Sequence, residues 1–315
     1  RHLISELMEG DVSDKLQKIR YSHCSGYSRP QQAERRSMNR NIGAIGPEDY
    51  LEPRCPLECE NNSHTYIQSI PQARVLAKLD EYLAKRDYSA AERHLVYWQE
   101  EARQGHDLQG QLLICNELIG HYRKNGQREL AFSACSEALR LLEALHFSDH
   151  LSAGTTYVNL ATAYSAFGED ERALPFFLRA REIYEANHAD ADLLGGLYNN
   201  MGLCCSALVR YSEAQAAFAL ALEQMKTVPG GELEQAITCL NLADCLDAEQ
   251  GREASEKRIM SLLKQARYLL LDTQAVEDGY YAFVCEKCAA GFQAYGDGET
   301  AELLFEMAEK IYERA

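Results

Sequence analysis

Along most of the chain, apolar and small residues recur at helical rather than strand spacing. In ERALPFFLRA, SEAQAAFALA and TAELLFEMAE an Ala is followed by Phe four residues on and Ala three further: Ala173–Phe177–Ala180, Ala214–Phe218–Ala221 and Ala301–Phe305–Ala308. ELAFSACSEA gives Ala131–Cys135–Ala138, and SAAERHLVYW gives Ala91–Leu95–Trp98. Positions i, i+4 and i+7 share one face of a helix, so each segment predicts a helix with a large apolar plug between small residues. Upstream lies a second helical pattern, apolar–x–x–apolar–small–x–x–aromatic or Cys, in CNELIGHYRKNG, YVNLATAYSAFG, YNNMGLCCSALV and CEKCAAGFQAYG. Gly126, Gly168 and Gly296 close three of these, as glycines at helix C-termini do. The unit is therefore a helix–turn–helix hairpin. Its second-helix Ala falls at 91, 131, 173 and 214, a spacing of 40, 42 and 41 residues. One such hairpin cannot bury its apolar face alone, so the copies are expected to stack, first helices lining a concave surface and second helices outside.

Small–aromatic in the first helix and Ala–x3–Phe–x2–Ala in the second resemble the tetratricopeptide repeat, and the long spacing resembles its kinesin light chain-like branch. The resemblance implies an all-α solenoid over residues 71–315, with units near 72–107, 109–148, 150–189, 191–229, 232–271 and 275–315. Two features depart from the pattern. The proline that often ends a repeat is replaced by links such as EANHADAD, and the fifth unit lacks a clean Ala–x3–Phe.

Three asparagines break the helix-favouring composition of the first helices. Asn159, Asn200 and Asn241 occupy one frame, 41 residues apart, flanked by core-type residues such as Tyr157 and Leu160. Asn costs a helix interior a few tenths of a kcal/mol, roughly, against Ala. The matching positions in the second and last units are Glu117, beside Asn116, and Lys287. Residues just off the core stripe face the groove, and an amide offers both the donor and the acceptor that an extended peptide backbone needs. The resemblance implies the same use, since kinesin light chain-like repeats use groove Asn in this way. The alternative is that these amides bond across to the next repeat and only brace the stack. Around them the groove is expected to carry Arg123, Thr162, Asn199, Ser206, Asp244 and Asp247, polar with an acidic stretch that suits a basic or hydroxyl-rich peptide.

Composition narrows the function without naming it. The formal charge is −16, yet residues 1–40 carry eight Lys/Arg against five Asp/Glu, which leaves the remaining 275 residues at −19. A body this acidic repels nucleic acid and anionic membranes. No apolar run reaches the length of about 18 residues that spans a bilayer, and the charged start does not read as a secretory signal. The 11 cysteines are scattered on apolar helical positions, which suits buried reduced thiols and a cytoplasmic location. Cys285 and Cys288 with Cys55, Cys59 and His64 could supply soft ligands for zinc. Because Cys285 and Cys288 match the core positions of Tyr157 and Leu160, the expectation is no metal and no cofactor. No catalytic or nucleotide-binding motif stands in the sequence, so an enzyme is not expected. Residues 1–70 are expected to be irregular, with one short helix over 3–20 and a Pro-, Gly- and Ser-rich stretch after it.

The sequence thus predicts a scaffold that binds an extended peptide or partner segment in its groove. A second reading is a bacterial-type, peptide-sensing regulator that changes superhelix shape on binding. A third is homo-oligomerisation through the second helices of the terminal repeats.

Overall fold

A computed structural model describes residues 67–272 and 278–314. The expected 3–20 helix, the loop-rich stretch to residue 66, Cys55, Cys59 and His64 lie outside the described residues. Within them the chain forms twelve helices and no strand: α1 (Gln72–Ala84), α2 (Tyr88–Gln104), α3 (Leu108–Lys124), α4 (Arg128–Ala144), α5 (Leu151–Ala166), α6 (Asp170–Ala186), α7 (Ala191–Ala207), α8 (Tyr211–Lys226), α9 (Glu232–Gln250), α10 (Arg252–Leu271), α11 (Gly279–Ala294) and α12 (Gly298–Tyr312). Successive pairs are antiparallel hairpins, numbered 1 to 6 below.

The Ala–x3–Phe–x2–Ala face is the buried seam of the second helices. Ala173, Phe177 and Ala180, and likewise Ala214, Phe218 and Ala221, are at most 1% exposed. Small residues opposite them let the helices close. A Cβ on Gly202 of α7 would stand 2.5 Å from the Phe218 ring of α8. In hairpin 5, which lacks the motif, Ser255 takes the place of the first Ala and Ile259 that of the Phe, at 1% and 2% exposure. The Ser255 hydroxyl satisfies itself on the Leu246 carbonyl of α9 at 3.3 Å. Phe305 departs from the pattern at 39% exposure. It belongs to α12, which no described helix follows, so no described helix covers the plug.

The first helices α3, α5, α7 and α9 each touch the first helix of the next hairpin, and α2, α4, α6 and α8 each touch the first helix that follows. The inner layer is thus continuous, while the second helices are set apart outside it. Buried apolar residues form two clusters, one from α1 to α8 that also takes in Cys245 of α9 and one from α9 to α12, with half-buried Leu242 packed against both. Between them, where α7 meets α9, Asn199, Asn200, Ser206, Thr238 and Asn241 are buried polar residues.

Candidate functional site

The asparagines of the inner layer are organised in pairs of hairpins. Asn159 on α5 donates its Nδ2 to Asn116 Oδ1 on α3 at 2.9 Å. Asn116 in turn donates to Thr156 Oγ1 at 3.0 Å and to the Leu112 carbonyl. The same triangle recurs two hairpins on: Asn241 on α9 donates to Asn199 Oδ1 on α7 at 3.0 Å, and Thr238 donates to that oxygen at 3.1 Å. Each triangle couples the Asn frame of one hairpin to the preceding position of the hairpin before it. Hairpin 4 breaks the rule. The positions that would receive Asn200 hold Val158 and Leu197, both buried apolar residues. Asn200 is 6% exposed and makes no hydrogen bond among the described residues. Thr156 and Thr238, 0% and 1% exposed, were not singled out in the sequence. Their spacing of 82 residues, twice the repeat, is the signal that would have found them.

The remaining groove residues divide by environment. Glu117 is buried at 5% exposure and does not stand open to the groove. Arg123 is half-buried in the last turn of α3. Thr162 turns its hydroxyl back onto the Val158 and Asn159 carbonyls of its own helix, at 2.9 and 3.0 Å. The Ser206 hydroxyl lies beside the Cys245 thiol, and its Oγ has no other partner. Lys287 carries its ammonium 5.8 Å from the centre of the Phe283 ring on the same helix.

Asp244 and Asp247 stand one turn apart on α9 in unlike settings. Asp247 is paired, its Oδ2 accepting from Arg252 Nη2 at 3.2 Å. Arg252 also donates to the Ala294 carbonyl at 3.0 Å and lies over the Tyr295 ring at 4.7 Å. Asp244 accepts the Tyr295 hydroxyl on Oδ1 at 2.7 Å, while its Oδ2 is buried without a partner. Burial pushes the Asp244 carboxyl up to about 6, and the negative charge of Asp247 adds to the rise. The Tyr295 hydrogen bond and the Arg252 charge work against it without cancelling it. The Tyr295 hydroxyl is raised in turn, first by burial and then by Asp244. Neither Tyr295 nor Arg252 was singled out in the sequence, because Arg252 follows a helix break and Tyr295 lies in the next hairpin.

Eight cysteines lie among the described residues, all buried and free. Burial raises the Cys115, Cys135 and Cys239 thiols to about 12, which makes them core-filling groups rather than nucleophiles. Cys285 and Cys288 are both 0% exposed on the packing face of α11. Among the described residues no group of His, Cys, Asp and Glu is arranged to hold a metal ion, and no helix is long and apolar enough to cross a membrane.

The tetratricopeptide repeat family model matches residues 111–186. No curated protein matches the sequence. Among solved structures, the chain is similar to the nearly identical TPR-like repeats of a candidate kinesin light chain from Podosopora anserina, at 20% identity over 64% of this chain and 94% of that one, with a TM-score of 0.45. BtubC from P. vanneervenii aligns at 19% identity over 78% of this chain and 92% of that one, with a TM-score of 0.46. NprR in complex with its cognate peptide NprX aligns at 15% identity over 75% of this chain and 66% of that one, with a TM-score of 0.50. At these identities the likeness is one of fold.

Proposed function

We propose that this tetratricopeptide-repeat solenoid is an interaction module that holds an extended peptide or partner segment along its inner helices. The observation that carries the reading is Asn200. Its side chain makes no hydrogen bond among the described residues, and its amide atoms are not among the buried polar atoms left without a partner, so they reach solvent and are open to a ligand. A peptide backbone presents the carbonyl and the N–H that such an amide lacks. Asn159 and Asn241 serve the site differently. They spend their Nδ2 groups between hairpins and so fix the register of the helices on either side of Asn200. The acidic side of the groove, at Asp244 and Asp247, suits a basic partner.

The two roles separate by mutation. Asn159→Ala and Asn241→Ala are expected to lower the melting temperature, each removing a hydrogen bond with a net contribution of about 0.5–1.5 kcal/mol. Asn200→Ala is expected to leave the melting temperature unchanged or raised while reducing retention on a random-peptide array. Equal peptide retention by wild type and Asn200→Ala would sink the proposal.

A second reading, a peptide-sensing regulator that changes shape, is favoured by one observation. The Arg86 guanidinium of hairpin 1 lies 5.0 Å from the Tyr312 ring of hairpin 6, so the two ends of the solenoid meet through an exposed and readily broken contact.

A further inference from the structure

The α7/α9 junction holds an unusual set of acceptors. Of the buried side-chain polar atoms that lack a partner among the described residues, Asn241 Oδ1, Asp244 Oδ2 and Ser206 Oγ all belong to these two adjacent helices. Asn241 is 2% exposed, and its amide nitrogen is already spent on Asn199. What it has left is an acceptor. Asp244 lies three residues further along α9, so the two side chains are neighbours on one helix face. Its Oδ1 is spent on Tyr295, and what it too has left is an acceptor. The nearest cation, Arg252, is committed to Asp247 Oδ2 and the Ala294 carbonyl. Among the described residues Asp244 therefore has no ion-pair partner of its own.

We infer that Asn241 and Asp244 form a subsite for a primary ammonium group, the side chain of a lysine or the free N-terminus of a peptide. An ammonium has three donors and no acceptor, and so complements two acceptors that have no donor. A guanidinium matches the corner less well, because its fork binds a carboxylate through both oxygens and Tyr295 already holds one of them. The inference deepens the peptide-groove reading and rests on it for the source of the ammonium, though not for the chemistry of the corner.

The test uses the full chain with Asp carbonyl carbons labelled, the Asp244 signal being identified by its loss in Asp244→Asn. The signal is titrated against pH in methylammonium chloride and in tetramethylammonium chloride at equal ionic strength. Tetramethylammonium carries the same charge but no N–H donor. Tyr295, Asp247 and Arg252, the titratable and charged groups among the described residues that act on Asp244, are common to both titrations. Methylammonium is expected to pull the midpoint down by about one pH unit or more, with tetramethylammonium leaving it near its position in sodium chloride. Equal midpoints in the two salts would overturn the inference.

A second measurement compares random-peptide arrays that are unmodified, N-acetylated or lysine-acetylated. Loss of retention on N-acetylation identifies the terminus as the source, and loss on lysine acetylation identifies the side chain. Asp244→Asn is expected to weaken retention about ten-fold or more, the effect of one hydrogen bond to a charged group. Asp247→Asn serves as the control for general loss of negative charge. If neither acetylation changes retention, the ammonium subsite falls while the groove reading stands. If no peptide is retained in any form, the groove reading falls, and the methylammonium titration still decides the subsite.

Discussion

At Asp244, three positions beyond Asn241 on α9, the fold holds a carboxyl whose charged form it destabilises. In the unfolded chain the group titrates near the ordinary 3.8, and in the fold near 6, because burial disfavours its charged form. Between those values the native state binds the proton more tightly than the unfolded state does. The contribution is fully present below pH about 4 and is lost as pH rises through 6. Asp244→Asn cannot titrate and keeps an acceptor for the Tyr295 hydroxyl. It should therefore melt close to wild type at pH 4.5 and above it at pH 7.5. One pKa unit corresponds to about 1.4 kcal/mol; since Asp244 keeps partial contact with solvent, a gain of roughly 1–2 kcal/mol is expected, a few degrees in Tm. Thermal scans of both proteins across that range check the point, and a difference independent of pH would remove Asp244 as its source. The sequence marked Asp244 as groove-facing and acidic. It could not mark the carboxyl as half-satisfied, because the satisfying hydroxyl, Tyr295, comes from the next hairpin.

Each described turn between helices, whether inside a hairpin or between two, is closed by a residue in the left-handed region. Gly126, Gly168, Gly230, Gly251 and Gly296 do this at φ 67–89°, and Arg86, His106, His146, His188 and Val209 at φ 50–62°. Glycine was legible at three of these turns as a helix stop. The five non-glycine turns were not, because Arg, His and Val carry no such signal, and only the repeat register marks their positions. Val209 is the most costly member, a β-branched residue at φ 62° whose side chain is 66% exposed and gains little from packing. An L-residue in this region costs roughly 1–2 kcal/mol, and glycine gives part of that back through its freer unfolded chain. Val209→Gly is therefore expected to stabilise the α7–α8 hairpin by about 0.5–1 kcal/mol in urea unfolding, and a lowered midpoint would contradict the strain assignment. The hairpins themselves could be read from the sequence because period and plug residues repeat. The pairing of asparagines could not. It joins adjacent frames of neighbouring hairpins, Asn159 to Asn116 and Asn241 to Asn199, and so alternates with twice the period of the repeat that revealed the fold.

Across the whole molecule, stacking six hairpins brings the first against the last, a consequence that no single repeat contains. The contact is small. Arg86 lies 5.0 Å from the Tyr312 ring, and the Tyr312 hydroxyl donates to Glu286 Oε2 at 3.3 Å. An exposed cation–π pair contributes about 0.5–1 kcal/mol, which shifts an equilibrium only by roughly two- to five-fold. Such a contact biases the solenoid towards the closed arrangement without locking it. Arg86→Ala should therefore widen the distribution of interatomic distances in solution X-ray scattering and lengthen its maximum. Tyr312→Ala should do the same, while Tyr312→Phe, which keeps the ring, should scatter close to wild type. If Arg86→Ala and wild type scatter identically, the ends are held by the curvature of the stack rather than by their contact, and shape change on peptide binding would need a different element.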